Sequence, residues 1–445
     1  MRGMPPVRRV AAAAVAVLAV AIVAVLLLSG VDGPIGRGPR VPSVSPGAPV
    51  SSSPSPVGSD EPTASAGESP VAGDDGVRAV LADIEEQVLE IRGLQPPDIG
   101  PADLIGRNEL RAELEGLFEA DYPREEQERD NLTLRAFGLL GPDDDVGALQ
   151  LELLTSQVAG FYDRTERRMV VVSDTGLDAN ARLTYAHEYT HALQDAAFGL
   201  GSLEIDAEGE DDRSLARVSL VEGDATVTML SWALRNLSPA ELGEIGAGPI
   251  PDTGDVPDWM LSQITFPYLA GQEWILAMMA DAGGNPMTPE YEPVDAAFED
   301  PPETTAQILD YETWVDRVPP VDVALPDLAA SLGSGWEAVS ESSVGQATTT
   351  IVLEHFGVTG FDGFDAGDGW TGDRAVVVRG PDGDFALAWR SAWATDEDAE
   401  EFESAYGTVV DTLDFPATVR RDGDMVLVIH ASTEAVLDRA VEATR

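Results

Sequence analysis

The sequence predicts an α+β protein. A mostly helical body with a small sheet is expected over residues 76–334, and a C-terminal α+β domain over 335–445. Two observations carry this. Apolar residues recur at helical spacing in long stretches between residues 76 and 282. After about residue 335 the texture changes to short β-branched and aromatic runs separated by turn signals.

Two segments of another kind precede the body. Arg2, Arg8 and Arg9 stand before an unbroken apolar run from Val10 to Leu28. That run is long enough to cross a bilayer as a helix, and no clear A-x-A cleavage site follows it. Residues 1–29 are expected to be a single-pass anchor in the cell membrane, with secretion after signal cleavage as the alternative. Positive charge ahead of the run keeps the N-terminus cytoplasmic and places the remainder outside. Residues 30–75 are rich in Pro, Ser and Gly and are expected to form a disordered linker.

Within the body, Leu81, Ile84, Val88 and Ile91 mark one helix, and a second is expected over Asn108–Phe118. Acidic runs at Asp143–Asp145 and Glu208–Asp212 read either as calcium ligands or as solvated loops. Met169–Val172 is a β-branched strand. Its edge is either free to hold an extended peptide or covered by a neighbouring strand. A helix is expected over residues 180–198, started by Asp178 or Asn180 and stopped by Gly199. Further apolar helices are expected around Glu222 and over residues 258–282, the latter closing the second wall of a cleft. In the C-terminal domain, Ala375–Val378, Phe385–Trp389 and Met425–Ile429 read as strands, with turns at Pro381–Gly383 and Arg421–Gly423. Helices are expected over Asp396–Leu413 and from Thr433 onward. Trp370, Trp389 and Trp393 read either as core or as a binding face.

The chemistry concentrates in one helix. His187, Glu188, Tyr189, Thr190 and His191 spell H-E-x-x-H, in a chain with only 4 histidines. Two imidazoles four residues apart share one helix face and can offer two nitrogens to one zinc ion. Glu188, beside the first, is placed to take a proton from an attacking water. A third ligand is needed, and Glu222 is the candidate: a carboxylate inside an apolar helix must find a partner. The alternatives for Glu222 are solvent or an ion pair with Arg217. His355 and His430 read as structural. Tyr268, Tyr291 and Tyr311 are candidate phenols for stabilising an oxyanion, each with plain packing as the alternative.

The segment from His187 to Asp195 resembles the active-site helix of the gluzincins, the thermolysin-type zinc metallopeptidases. Glu222-Gly223-Asp224-Ala225 is similar to the E-G-x-A form of their third-ligand helix. More closely, the chain resembles poorly characterised, membrane-anchored bacterial metallopeptidase-like proteins. The matching stretches are Gln157–Asp163, the metal helix, the Glu222 element, Phe266–Gly271, Pro301–Thr305 and Gly369–Arg374. The resemblance implies a zincin-like domain holding Zn2+ through His187, His191 and Glu222, with Glu188 as general base and a peptide or protein substrate. The chain departs from the pattern at two positions. Thr226 stands where thermolysin-type enzymes carry an acidic residue, and Asp310 where the closer group tends to carry histidine. Asp224 and Asp195 are the candidates to support the ligand histidines instead. The departures leave a second reading, a catalytically inactive, zinc-binding cell-surface interaction protein.

Composition excludes other classes. The net charge is −52 and all 27 basic residues are arginine, so the surface repels nucleic acid. Cysteine is absent, which removes disulfides, thiolate metal ligands and lipidated cysteines. Carboxylate excess without lysine fits either adaptation to high salt or base-composition bias. Under the first, folding and activity should improve from low to molar salt; full stability at low salt would favour the second.

Overall fold

The computed structural model describes residues 73–445 apart from 158–159, 173–175, 206, 208, 247–255 and 359–365. Helix α1 (Asp74–Arg92) buries Val77, Leu81, Ile84, Val88 and Ile91, the predicted apolar stripe, and ends at Gly93 in the left-handed region (φ 76°). A short strand β1 (Asp103–Ile105) leads into α2 (Arg107–Asp121), α3 (Arg124–Phe137) and α4 (Val146–Gln157). Strands β2 (Gly160–Asp163) and β3 (Arg168–Val172) complete a three-stranded sheet in the order β1-β3-β2. β3 pairs parallel with β1 and antiparallel with β2. The strand read from Met169–Val172 is thus the inner one, with β1 and β2 at the two edges.

Helix α5 (Ala179–Phe198) starts where Asp178 accepts the Ala181 N–H at 2.8 Å and stops at Gly199 (φ 66°). It is followed by α6 (Asp211–Asn236), α7 (Pro239–Gly246) and α8 (Asp258–Asp281). The α6–α8 crossing is a backbone-to-backbone contact. A Cβ on Gly223 would run into the backbone of Gly271, and one on Gly271 into the backbone of Ser219. Glycine at both positions lets the helices approach and brings α8 side chains over α6.

Short helices α9 (Glu292–Glu299), α10 (Thr305–Leu309), α11 (Tyr311–Val315) and α12 (Leu328–Leu332) lead to the C-terminal unit. It contains β4 (Glu337–Ser342), α13 (Gly345–His355), β5 (Trp370–Arg379), β6 (Phe385–Trp393), α14 (Asp396–Val410), β7 (Ala417–Asp422), β8 (Met425–Ala431) and α15 (Glu434–Ala443). Its sheet is antiparallel, in the order β4-β5-β6-β8-β7. Alternation along the strands gives it two apolar faces. Val376, Val378, Ala388 and Ile429 pack with Leu328 of α12 and Val436 of α15. Val377, Leu387, Trp389 and Val428 join Phe402 of α14 and, across the body, Leu114 and Phe137. Trp370, Trp389 and Trp393 are all buried, so they are core and not a binding face. His430 is buried too, with Nδ1 2.8 Å from the Ala136 carbonyl, and ties β8 to the end of α3.

The expected transmembrane helix needs correction. Among the described residues no helix is long and apolar enough to cross a membrane. The long apolar helix α8 carries Asp258, Glu273 and Asp281 and buries Phe266, Trp274, Ile275 and Met279 inside the protein. The Val10–Leu28 run lies outside the described residues.

The second acidic run is also not simply a solvated loop. Asp212, in the first turn of α6, is buried and accepts both the Thr305 N–H (3.1 Å) and its hydroxyl (2.5 Å). Nearby, buried Asp373 accepts the N–H groups of Val344 and Gly345 and the Trp389 indole. Burial, with Asp373 close by, pushes Asp212 up to about 7, and burial pushes Asp373 up to about 6. The native state therefore binds protons that the unfolded chain has already released, so these groups lower stability as pH rises from about 4 to about 7. Asp212→Asn keeps the oxygen acceptor and removes the charge. It should melt higher than the wild type at pH 8, with the gap narrowing as pH falls and closing only at about pH 4 and below. A gap that is independent of pH would refute the assignment.

Candidate metal centre

Helices α5, α6 and α8 meet around one buried polar cluster in an otherwise apolar core. His187 and His191 lie one turn apart on α5 with ring centroids 4.7 Å apart. Their Nε2 atoms converge to 3.0 Å. From α6, Glu222 Oε2 approaches His187 Nε2 at 3.1 Å and His191 Nε2 at 3.3 Å. Glu222 is 7% exposed and His187 0%, so the three donor atoms form a small, largely dry triangle. Arg217 does not compete for Glu222. Its guanidinium meets Glu204, Glu303 and the Leu203 carbonyl.

Glu188 lies beside the histidines and also reaches the small sheet. Its Oε2 accepts the Tyr162 N–H of edge strand β2 at 3.0 Å, and its Oε1 is buried without a hydrogen-bond partner. His187, Glu188 and His191 each place one ligand-type atom within 4.8 Å of the others, a buried group able to hold a metal ion. Burial pushes Glu188 up to about 7. Burial also lowers His187. For His191 burial works in the same sense, but the Glu222 carboxylate outweighs it and raises the imidazole to about 9. Burial would raise Glu222, yet the facing histidines hold it down to about 2. A negative carboxylate thus faces two imidazoles in a site that favours a bound positive charge, proton or cation.

Of the three candidate phenols, Tyr268 alone joins this cluster. Its ring lies 5.8 Å from that of His187, nearly parallel. Burial and the neighbouring Glu222 and Glu188 carboxylates hold its pKa far above the ordinary tyrosine value, so the hydroxyl stays protonated beside them. Tyr291 instead meets Thr228 at 2.9 Å, under the Arg92 guanidinium. Tyr311 is only half-buried.

The supporting residues were less legible. Asp195 is engaged by the Tyr162 hydroxyl and the Leu200 N–H. Asp310 caps α11, accepting the Glu312 N–H and the Thr313 hydroxyl. Thr226 Oγ1 and His187 Nδ1 are both buried without a hydrogen-bond partner among the described residues. His191 Nδ1 meets Gln194 Oε1 at 2.8 Å, a residue the sequence reading passed over. Its signal was positional: three residues after His191, it lies on the same helix face. The role of the Tyr162 amide had no sequence signal, because any residue supplies a backbone N–H.

Comparison with family models matches residues 334–441 to a family described as Domain of unknown function (DUF8575). The match lies in the C-terminal unit and leaves out the His187, Glu188 and His191 cluster. No curated protein and no solved structure matches the chain.

Proposed function

We propose that the chain is a zinc-dependent metallopeptidase that binds its ion through His187, His191 and Glu222. One observation carries this. Donors bound to one tetrahedral zinc at about 2.0–2.1 Å lie roughly 3.3 Å from one another. The three separations here are 3.0, 3.1 and 3.3 Å, with lone-pair atoms of the right type at each corner. Two imidazoles and one carboxylate without a thiolate suit zinc and leave a position for water. When bound, the ion supplies Lewis-acid chemistry that acidifies water and polarises a carbonyl.

The remaining steps fall to the chain. Glu188 is held by one oxygen to the Tyr162 amide, which leaves Oε1 to take a proton from the attacking water and pass it to the leaving amine. Tyr268 keeps a neutral phenol against the His187 ring, close to Glu222.

The test is digestion of a mixed peptide library by purified protein, with and without a zinc chelator. Cleavage that the chelator abolishes and added zinc restores is expected. Metal-loaded protein that cleaves nothing would overturn the peptidase and leave the zinc-binding interaction protein.

A further inference from the structure

We infer that Gln194, Asp224 and Arg92 form a buried positioning relay that fixes the tautomer and orientation of His191; the inference rests on the metal centre proposed above. The relay crosses three helices. Gln194 Nε2, on α5, donates to the Val221 carbonyl at 2.9 Å and to Asp224 Oδ2 at 2.8 Å, both on α6. Asp224 is fully buried and is met by Arg92 Nε, the last residue of α1, at 2.9 Å. Arg92 continues to Asp295 at 2.6 Å and lies 4.3 Å from the centre of the Tyr291 ring.

The direction of each bond follows from donor chemistry. The two groups facing Gln194 from α6, a carbonyl and a carboxylate, only accept, so the amide nitrogen must be the atom turned toward them. Oε1 is then the atom 2.8 Å from His191 Nδ1. An amide oxygen cannot donate, so Nδ1 carries the hydrogen. In the neutral ring the lone pair is therefore on Nε2, the atom that converges with His187 and Glu222. A flipped amide would turn its N–H groups toward Nδ1 and move the ring proton into the ligand triangle. The Val221 carbonyl and Asp224 both oppose that flip; burial raises the Asp224 pKa, and the Arg92 guanidinium works against that rise and fixes the carboxylate in place. His187 Nδ1 has no corresponding partner among the described residues, so the relay constrains one ligand and leaves the other adjustable.

Zinc and cobalt affinities, measured by competition with a chromophoric chelator, test this without reference to hydrolysis. Gln194→Met should bind about 10–100-fold more weakly. It should also lose the exchange-protected His191 imidazole N–H signal seen by NMR in the zinc-loaded wild type. Gln194→Glu should weaken binding as well, because it sets a carboxylate against Asp224. Adding Asp224→Asn to Gln194→Glu returns the net charge and lets the new amide donate to the new carboxylate, so affinity should recover toward wild type. Wild-type affinity in Gln194→Met, or no recovery in the double variant, would overturn the relay. A wild type that binds no metal would overturn the metal centre itself. A wild type that binds metal and shows this pattern without cleaving peptides would overturn only the peptidase.

Discussion

Glu188→Gln is expected to keep its metal and lose hydrolysis, with turnover falling by about 10²–10⁴-fold. The substitution is close to isosteric. An amide oxygen can still accept the Tyr162 N–H that holds Glu188 Oε2 at 3.0 Å, so the side chain should keep its place against β2. The other end changes character, because an amide nitrogen has no lone pair with which to take a proton. His187, His191 and Glu222 are untouched, and their separations of 3.0–3.3 Å are not set by Glu188. Metal content by mass spectrometry and turnover at saturating zinc should therefore separate in this variant. Turnover at the wild-type level would remove Glu188 from the mechanism. Loss of metal along with turnover would mean that Glu188 is itself a ligand.

Gly271→Ala is expected to destabilise the fold by about 3 kcal/mol or more and to weaken metal binding with it. The new methyl would meet the carbonyl oxygen, carbonyl carbon and Cα of Ser219, all backbone atoms of α6. Overpacking against a flexible side chain can be relieved by a change of rotamer; overpacking against a helix backbone requires the helices to separate. Separation would draw Tyr268, one turn earlier on α8, away from Glu222. Gly223→Ala tests the same contact from the opposite side, since its methyl would meet the backbone of Gly271. Thermal melting and chelator competition should fall together in both variants. Wild-type melting in both would show that the helices have room to spare.

Much of the architecture was legible because it rests on local rules. The α5 boundaries followed from Asp178 as cap and Gly199 as stop, and the stripe in α1 from its apolar spacing. β2 and β7 were not read as strands. β2 is only four residues long, and β7 carries Arg420, Arg421 and Asp422, so neither shows a pattern that stands out from loop. Asp212 looked solvated because its neighbours in sequence are acidic; its partner Thr305 lies 93 positions away. Tyr268 could not be told from Tyr291 or Tyr311 by sequence, since what separates them is the close α6–α8 crossing.

By itself the sequence determined the ligand face of α5. Helical geometry alone puts His187 and His191 on one side, and the alternation of apolar residues in the C-terminal strands sets two buried faces. Only the tertiary structure decided what completes the centre. Glu222 joins the histidines because α6 packs across α5, the Tyr162 amide reaches Glu188 because β2 is the sheet edge, and Arg92 reaches Asp224 from 132 residues away. The physical reason is reach. A helix specifies the directions of side chains within its own few turns, whereas convergence of donors from separate elements depends on how their surfaces pack, down to the missing Cβ atoms of Gly223 and Gly271.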